Sequence, residues 1–118
     1  ATELVSAANA RSGRRAKKAA DEALENGPFS APAHYAAGMV ASRFKDSQDE
    51  ARNELQKTVE LDPSWALARL SRGDLLLKDG PTAVPAVVAE YEAFLQYSQN
   101  QADISRVRKA LPALKKKL

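Results

Sequence analysis

The chain has 118 residues, enough for one domain with a modest core, and carries 18 Lys and Arg against 15 Asp and Glu, a net charge of +3. With 44% hydrophobic but only 6% aromatic residues, the core must be built from Ala, Leu and Val. No cysteine is present, which excludes disulfides and thiolate metal sites, and no run reaches the roughly 18 apolar residues of a membrane helix.

Read from the N-terminus, Thr2–Ala10 predicts a short helix ended by Ser12-Gly13. No apolar leader precedes it, and the start at Ala1 reads as a mature or excised fragment. A second helix over 14–25 carries Ala16, Ala19, Ala20, Ala23 and Leu24 as one stripe at helical spacing. Asn26-Gly27-Pro28 stops it, since Gly accepts a left-handed cap and Pro cannot continue the helix.

Ser30 is the expected N-cap of a helix over 31–44, with Tyr35, Ala36, Met39, Val40 and Phe44. A turn at 45–47 leads to a helix over 48–61 carrying Ala51, Leu55, Thr58 and Val59, ended by Leu61-Asp62-Pro63. Ser64 is the expected cap of the next helix, which runs to Lys78. Asp79-Gly80-Pro81-Thr82 predicts a turn and 83–97 a helix, whose first turn tolerates Pro85 because that N–H has no helical partner. After a polar linker at 98–102, a final helix over 103–117 repeats Ile104, Val107, Leu111 and Leu114, with Pro112 expected to bend or shorten it.

The chain also matches itself when shifted by 35 residues. Ala16, Ala51 and Ala86 align, as do Leu24, Val59 and Phe94; Pro28, Ala31, Ala33 and Gly38 align with Pro63, Ala66, Ala68 and Gly73. A period of that length in helical sequence predicts stacked helical hairpins, whose amphipathic stripes are buried only against neighbouring pairs.

The segment Leu61-Asp62-Pro63-Ser64-Trp65-Ala66, followed by Gly73-Asp74-Leu75-Leu76 and Asp79-Gly80, resembles the tetratricopeptide repeat. The resemblance covers roughly 14–100 and implies an all-α, α-α superhelix of antiparallel hairpins with about seven helices. It divides the single domain 1–118 into a partial repeat 1–27, repeats 28–62 and 63–98, and a capping helix 102–118. Gly38 and Gly73 match the small residue at the closest helix crossing, Ala51 and Ala86 the Ala opening the second helix, and Pro28 and Pro63 the terminal Pro. Three departures stand out: a period of 35 rather than the usual 34, read as an extra residue per inter-helix turn; His34 and Arg69 in the aromatic slot; and Arg72 in a slot usually Leu.

The resemblance implies a protein–protein interaction module with a concave groove lined by Tyr35, Met39, Ser42, Arg43, Leu67, Leu70, Asp74, Leu77 and Lys78. Such an apolar set with a few charges suits an extended peptide or an amphipathic helix. The family's two-carboxylate clamp is not expected, because Ala36 and Ser71 stand where Asn is needed and Tyr35 and Leu70 where Lys belongs. An accessory domain of a larger, bacterial signalling or envelope-assembly protein, docking on its own catalytic domain, is the alternative.

No catalytic, cofactor or metal site is expected: His34 is the single histidine, Asp21-Glu22 and Asp49-Glu50 are ordinary helix-face carboxylates, and the glycines follow the repeat rather than forming a phosphate loop. Arg11, Arg14, Arg15, Lys17 and Lys18, with Lys115–Lys117, leave weak nucleic-acid binding as a third reading, without the interleaved aromatics that stack single strands. The partner is thus another protein or another domain of the parent chain, with cytoplasm favoured over periplasm.

Overall fold

The computed structural model describes the backbone of residues 2–118 and the side chains of residues 11–118. Six α-helices follow in order: α1 (Thr2–Asn26), α2 (Ala31–Ala41), α3 (Gln48–Leu61), α4 (Ala66–Leu77), α5 (Val84–Tyr97) and α6 (Gln101–Lys115). Short 3-10 turns over Lys45–Ser47 and Pro81–Ala83 precede α3 and α5. Among the described residues there is no strand, so the fold is all-α. Each helix packs on its sequence neighbours, as short connections between amphipathic helices require.

The expected break at Ser12-Gly13 does not occur: α1 runs through it, leaving six helices rather than seven. Gly13 serves packing instead. A Cβ there would lie 3.0 Å from Cζ of Phe44, so the missing side chain admits the aromatic ring. The basic cluster 11–18 therefore lies in mid-helix, not at a helix start.

The other boundaries follow local chemistry. The Ser30 hydroxyl caps α2 by accepting from Ala33 N–H at 3.2 Å. Ser64 caps nothing: its N–H and hydroxyl both donate to Oδ1 of Asp62, and Trp65 occupies the N-cap position of α4. Gly80 supplies the left-handed backbone, φ 89°, that turns the chain from α4 toward α5. Asn100 caps α6, accepting from Asp103 N–H at 3.0 Å, and α6 continues past the exposed Pro112 to Lys115.

Two apolar clusters form the interior. One joins Ala41, Ala51, Leu55, Val59, Ala68 and Leu75 across α2, α3 and α4. The larger joins Leu70 of α4 to Val87, Tyr91 and Phe94 of α5 and to Ile104, Val107, Leu111 and Leu114 of α6. The helix pairs close on glycine as expected: a Cβ on Gly38 would meet Cγ of Leu55 at 2.9 Å, and one on Gly73 would meet Cε1 of Tyr91 at 2.7 Å.

The second helices do not keep the 35-residue register. Ala51, Leu55 and Thr58 are fully buried, and their counterparts in burial are Val87, Tyr91 and Phe94, each 36 residues on. Ala86 is only half-buried. The cause is local: α4 has 12 residues where α2 has 11, so everything after α4 slips by one.

A polar bridge recurs in the two pairs. His34 Nε2 donates to the Pro28 carbonyl at 2.6 Å, and Nδ1 lies 2.5 Å from Oε2 of Glu54. Thirty-five residues on, Arg69 Nε donates to the Pro63 carbonyl at 3.3 Å and Nη1 to Oε1 of Glu90 at 3.2 Å. Glu90 stands 36 residues after Glu54, the same one-residue slip. The slot that the resemblance assigns to an aromatic thus holds a nitrogen-bearing side chain, His34 or Arg69, that ties the entry loop and the second helix to the first helix. Arg72 adds a second bond to Glu90, Nη1 to Oε1 at 3.0 Å.

Candidate functional site

Periodicity places residues 35, 39 and 42 on one face of α2, and residues 71, 74, 75 and 78 on one face of α4. The two faces oppose each other across a cleft of about 190 Å³ lined by Met39, Ser42, Ser71, Asp74, Leu75 and Lys78, with Leu55 of α3 at its base. Of the nine residues expected to line a groove, Met39, Ser42, Asp74 and Lys78 come together here.

Tyr35 stands beside that set, its ring stacked on Trp65 with centroids 5.0 Å apart and planes inclined by 29°. Burial pushes the Tyr35 phenol above its ordinary pKa, with the Ser71 side chain acting in the opposite direction. Leu70 is not available to a ligand: it is 6% exposed, locked in the core beneath α6. One physical reason covers both residues. They are 35 residues apart, and in each case the next element along, Trp65 or α6, covers that position. Arg43, Leu67 and Leu77 are exposed and do not line the cleft.

Asp74 is held from two sides. The Tyr91 hydroxyl donates to Oδ1 at 2.6 Å, while Arg106 of α6 donates from Nη2 to Oδ2 at 3.0 Å and from Nη1 to Oδ1 at 3.3 Å. Burial, reinforced by the Asp74 carboxylate that accepts its proton, pushes the Tyr91 phenol up to about 12. The same carboxylate holds the Arg106 guanidinium above its ordinary value. Asp74 is therefore neutralised within the protein. Lys78, by contrast, has no carboxylate within ion-pairing distance among the described residues, so the cleft presents net positive charge.

The Ser42 hydroxyl donates to the Met39 carbonyl at 2.7 Å. His34 lies away from the cleft, in a shallow depression with Pro28, Phe29, Lys57, Glu60 and Leu61, and both its nitrogens are engaged in the bridge. Among the described residues no group of three or more His, Cys, Asp or Glu is arranged to hold a metal ion, and no helix is long and apolar enough to cross a membrane.

Sequence reasoning passed over Ser71, Leu75 and Arg106. The first two carried a usable signal, since 71, 74, 75 and 78 recur at helical spacing. Arg106 carried none, because its role depends on where α6 docks. Among known proteins, no family model and no characterised protein matches the chain significantly.

Proposed function

We propose that this chain is a protein-interaction module of stacked helical hairpins, built like a tetratricopeptide array, whose α2–α4 cleft grips a segment of another protein or of its own parent chain. The observation that carries the reading is the cleft's construction. Its walls are the first helices of two successive pairs, and Asp74 is clamped between Tyr91 of the core and Arg106 of α6. A surface fixed in this way loses little conformational freedom when it is occupied. Met39, Leu55 and Leu75 offer an apolar seat, and Lys78 offers a free cation beside it.

One feature supports the repeat architecture: the bridge from a loop proline carbonyl through His34 or Arg69 to Glu54 or Glu90 is built twice at equivalent positions, as a duplicated structural unit would build it.

The reading is tested by affinity capture from cell lysate with the wild type, a Met39→Gln/Lys78→Glu variant and a Phe29→Ser control. Phe29 is 85% exposed and lies outside the cleft. A protein held by the wild type and the control but not by the cleft variant supports the proposal. Equal retention by all three places the contact surface elsewhere.

A further inference from the structure

Over residues 11–26, one face of α1 is exposed among the described residues. The helix buries Gly13 and Ala20, half-buries Ala16, Lys17 and Leu24, and exposes the opposite side. Among the described residues, Lys17 alone of its charged side chains has an ion-pair partner, Glu50 at 3.4 Å. Because α1 is unbroken, Arg11, Arg15, Lys18, Glu22 and Glu25 fall every three or four residues along one exposed line. Beside that line, Ser12, Ala19 and Ala23 are also exposed and small, which permits a second helix to approach to about 8 Å between axes.

The charges along this line change sign once, basic in the first half and acidic in the second. Neither half is content alone. Like charges neighbour one another within each half, and Glu22 and Glu25 sit at the helix C-terminus, where the dipole disfavours acids and the last turn holds no basic residue. A helix with the reverse order of charges would relieve both problems. An antiparallel copy of α1 has that order.

We propose that α1 pairs antiparallel with α1 of a second copy of this chain across a two-fold axis between Lys18 and Ala19, where the two Lys18 side chains form the one like-charged pair on this line against four Arg–Glu pairs. Arg15 of each copy then faces Glu22 of the other, Arg11 faces Glu25, and the small residues allow close approach. Such an interface is self-complementary, as two-fold symmetry requires. The overlap from residue 11 to residue 26 is about 24 Å long, too short for the roughly 1,200 Å² of a standard interface. The dimer is therefore weak and salt-sensitive. The same sign change argues against a nucleic-acid surface, because the acidic half would face phosphates. The pairing does not depend on the cleft and leaves it open.

The test is sedimentation equilibrium of the 118-residue chain at about 50 mM and about 0.5 M salt, where screening lengths differ severalfold. The wild type self-associates at low salt and dissociates at high salt. Arg11→Glu/Arg15→Glu and Glu22→Arg/Glu25→Arg each weaken self-association by about tenfold or more. Mixed together, the two variants recover a heterodimer. All four positions are exposed, and circular dichroism verifies that helicity is unchanged. The chain has no cysteine, so Ala19→Cys provides a clean geometric check: it cross-links to its own copy, whereas Arg11→Cys does not. A wild type that stays monomeric at millimolar concentration at low salt overturns the proposal. So does a dimer indifferent to the charge reversals, or a mixture no tighter than either variant alone.

Discussion

Replacing Gly73 with Ala should destabilise the protein even though the change favours helix. Ala gains about 1 kcal/mol over Gly in a helix interior, so propensity alone predicts stabilisation. The new Cβ would lie 2.7 Å from Cε1 and 2.8 Å from Cδ1 of Tyr91, with Cβ of Glu90 at 3.4 Å. The ring would have to retreat by roughly 0.8 Å to reach ordinary contact. It has little room to do so, being 1% exposed and tethered through its hydroxyl to Asp74 at 2.6 Å. Overpacking of this kind costs about 1–3 kcal/mol, and loosening the hydrogen bond about 1 more. The net destabilisation is about 1–3 kcal/mol, a fall in Tm of about 4–12 °C for a domain of this size. Urea unfolding followed by circular dichroism measures it directly. Gly73→Ala/Tyr91→Leu, which removes the far part of the ring, should recover part of the loss. A Gly73→Ala protein as stable as the wild type would refute the close crossing of α4 on α5, and with it the clamp that fixes Asp74.

The Tyr91 phenol gives a pH prediction with a definite sign. Unfolded tyrosine ionises near 10, whereas folded Tyr91 keeps its proton to about 12. Its contribution is complete below pH 10 and is lost as pH rises from 10 to 12, about 2–3 kcal/mol in all. Thermal unfolding across that window should fall less steeply in Tyr91→Phe than in the wild type; parallel curves would contradict the assignment. At the other bridge, Glu54→Ala leaves a His34 nitrogen without its hydrogen-bond partner in a site where the imidazole is only 8% exposed, a loss of about 1–3 kcal/mol by denaturant unfolding. His34→Arg should retain much more stability than His34→Ala, since Arg69 already makes the equivalent pair of bonds. Equal losses for Arg and Ala would show that the two bridges are not equivalent.

Much of this fold was legible in the sequence because its signals are local. Pro28 and Pro63, the Ser30 cap and the turn around Gly80 each follow from backbone chemistry within a few residues, whereas the Gly38 and Gly73 crossings were expected from the resemblance to the tetratricopeptide repeat. The failures arose where tertiary contacts decide. Ser12-Gly13 reads as a helix stop, yet Phe44 fills the space that a side chain would occupy and the helix continues. The aligned alanines at 51 and 86 suggest equivalence, but the extra residue in α4 gives Val87 the buried role. Leu70 has the composition of a binding contact and is a core residue, because α6 lies over it. The bridge from His34 to Glu54 spans 20 residues, and no spacing rule links them. For the cleft, four of nine expected residues converge; the clamp on Asp74 comes from α5 and α6, whose docking no local pattern encodes.

The proposed function places a partner segment in the space between α2 and α4. Hydrogen exchange of the chain, free and saturated with its captured partner, tests this most directly, since amide protection reports occupancy residue by residue. A segment held in the cleft adds protection over residues 39–43 and 71–78 and leaves α1 unchanged. Protection confined to α1, or to the loop around Phe29, would contradict it.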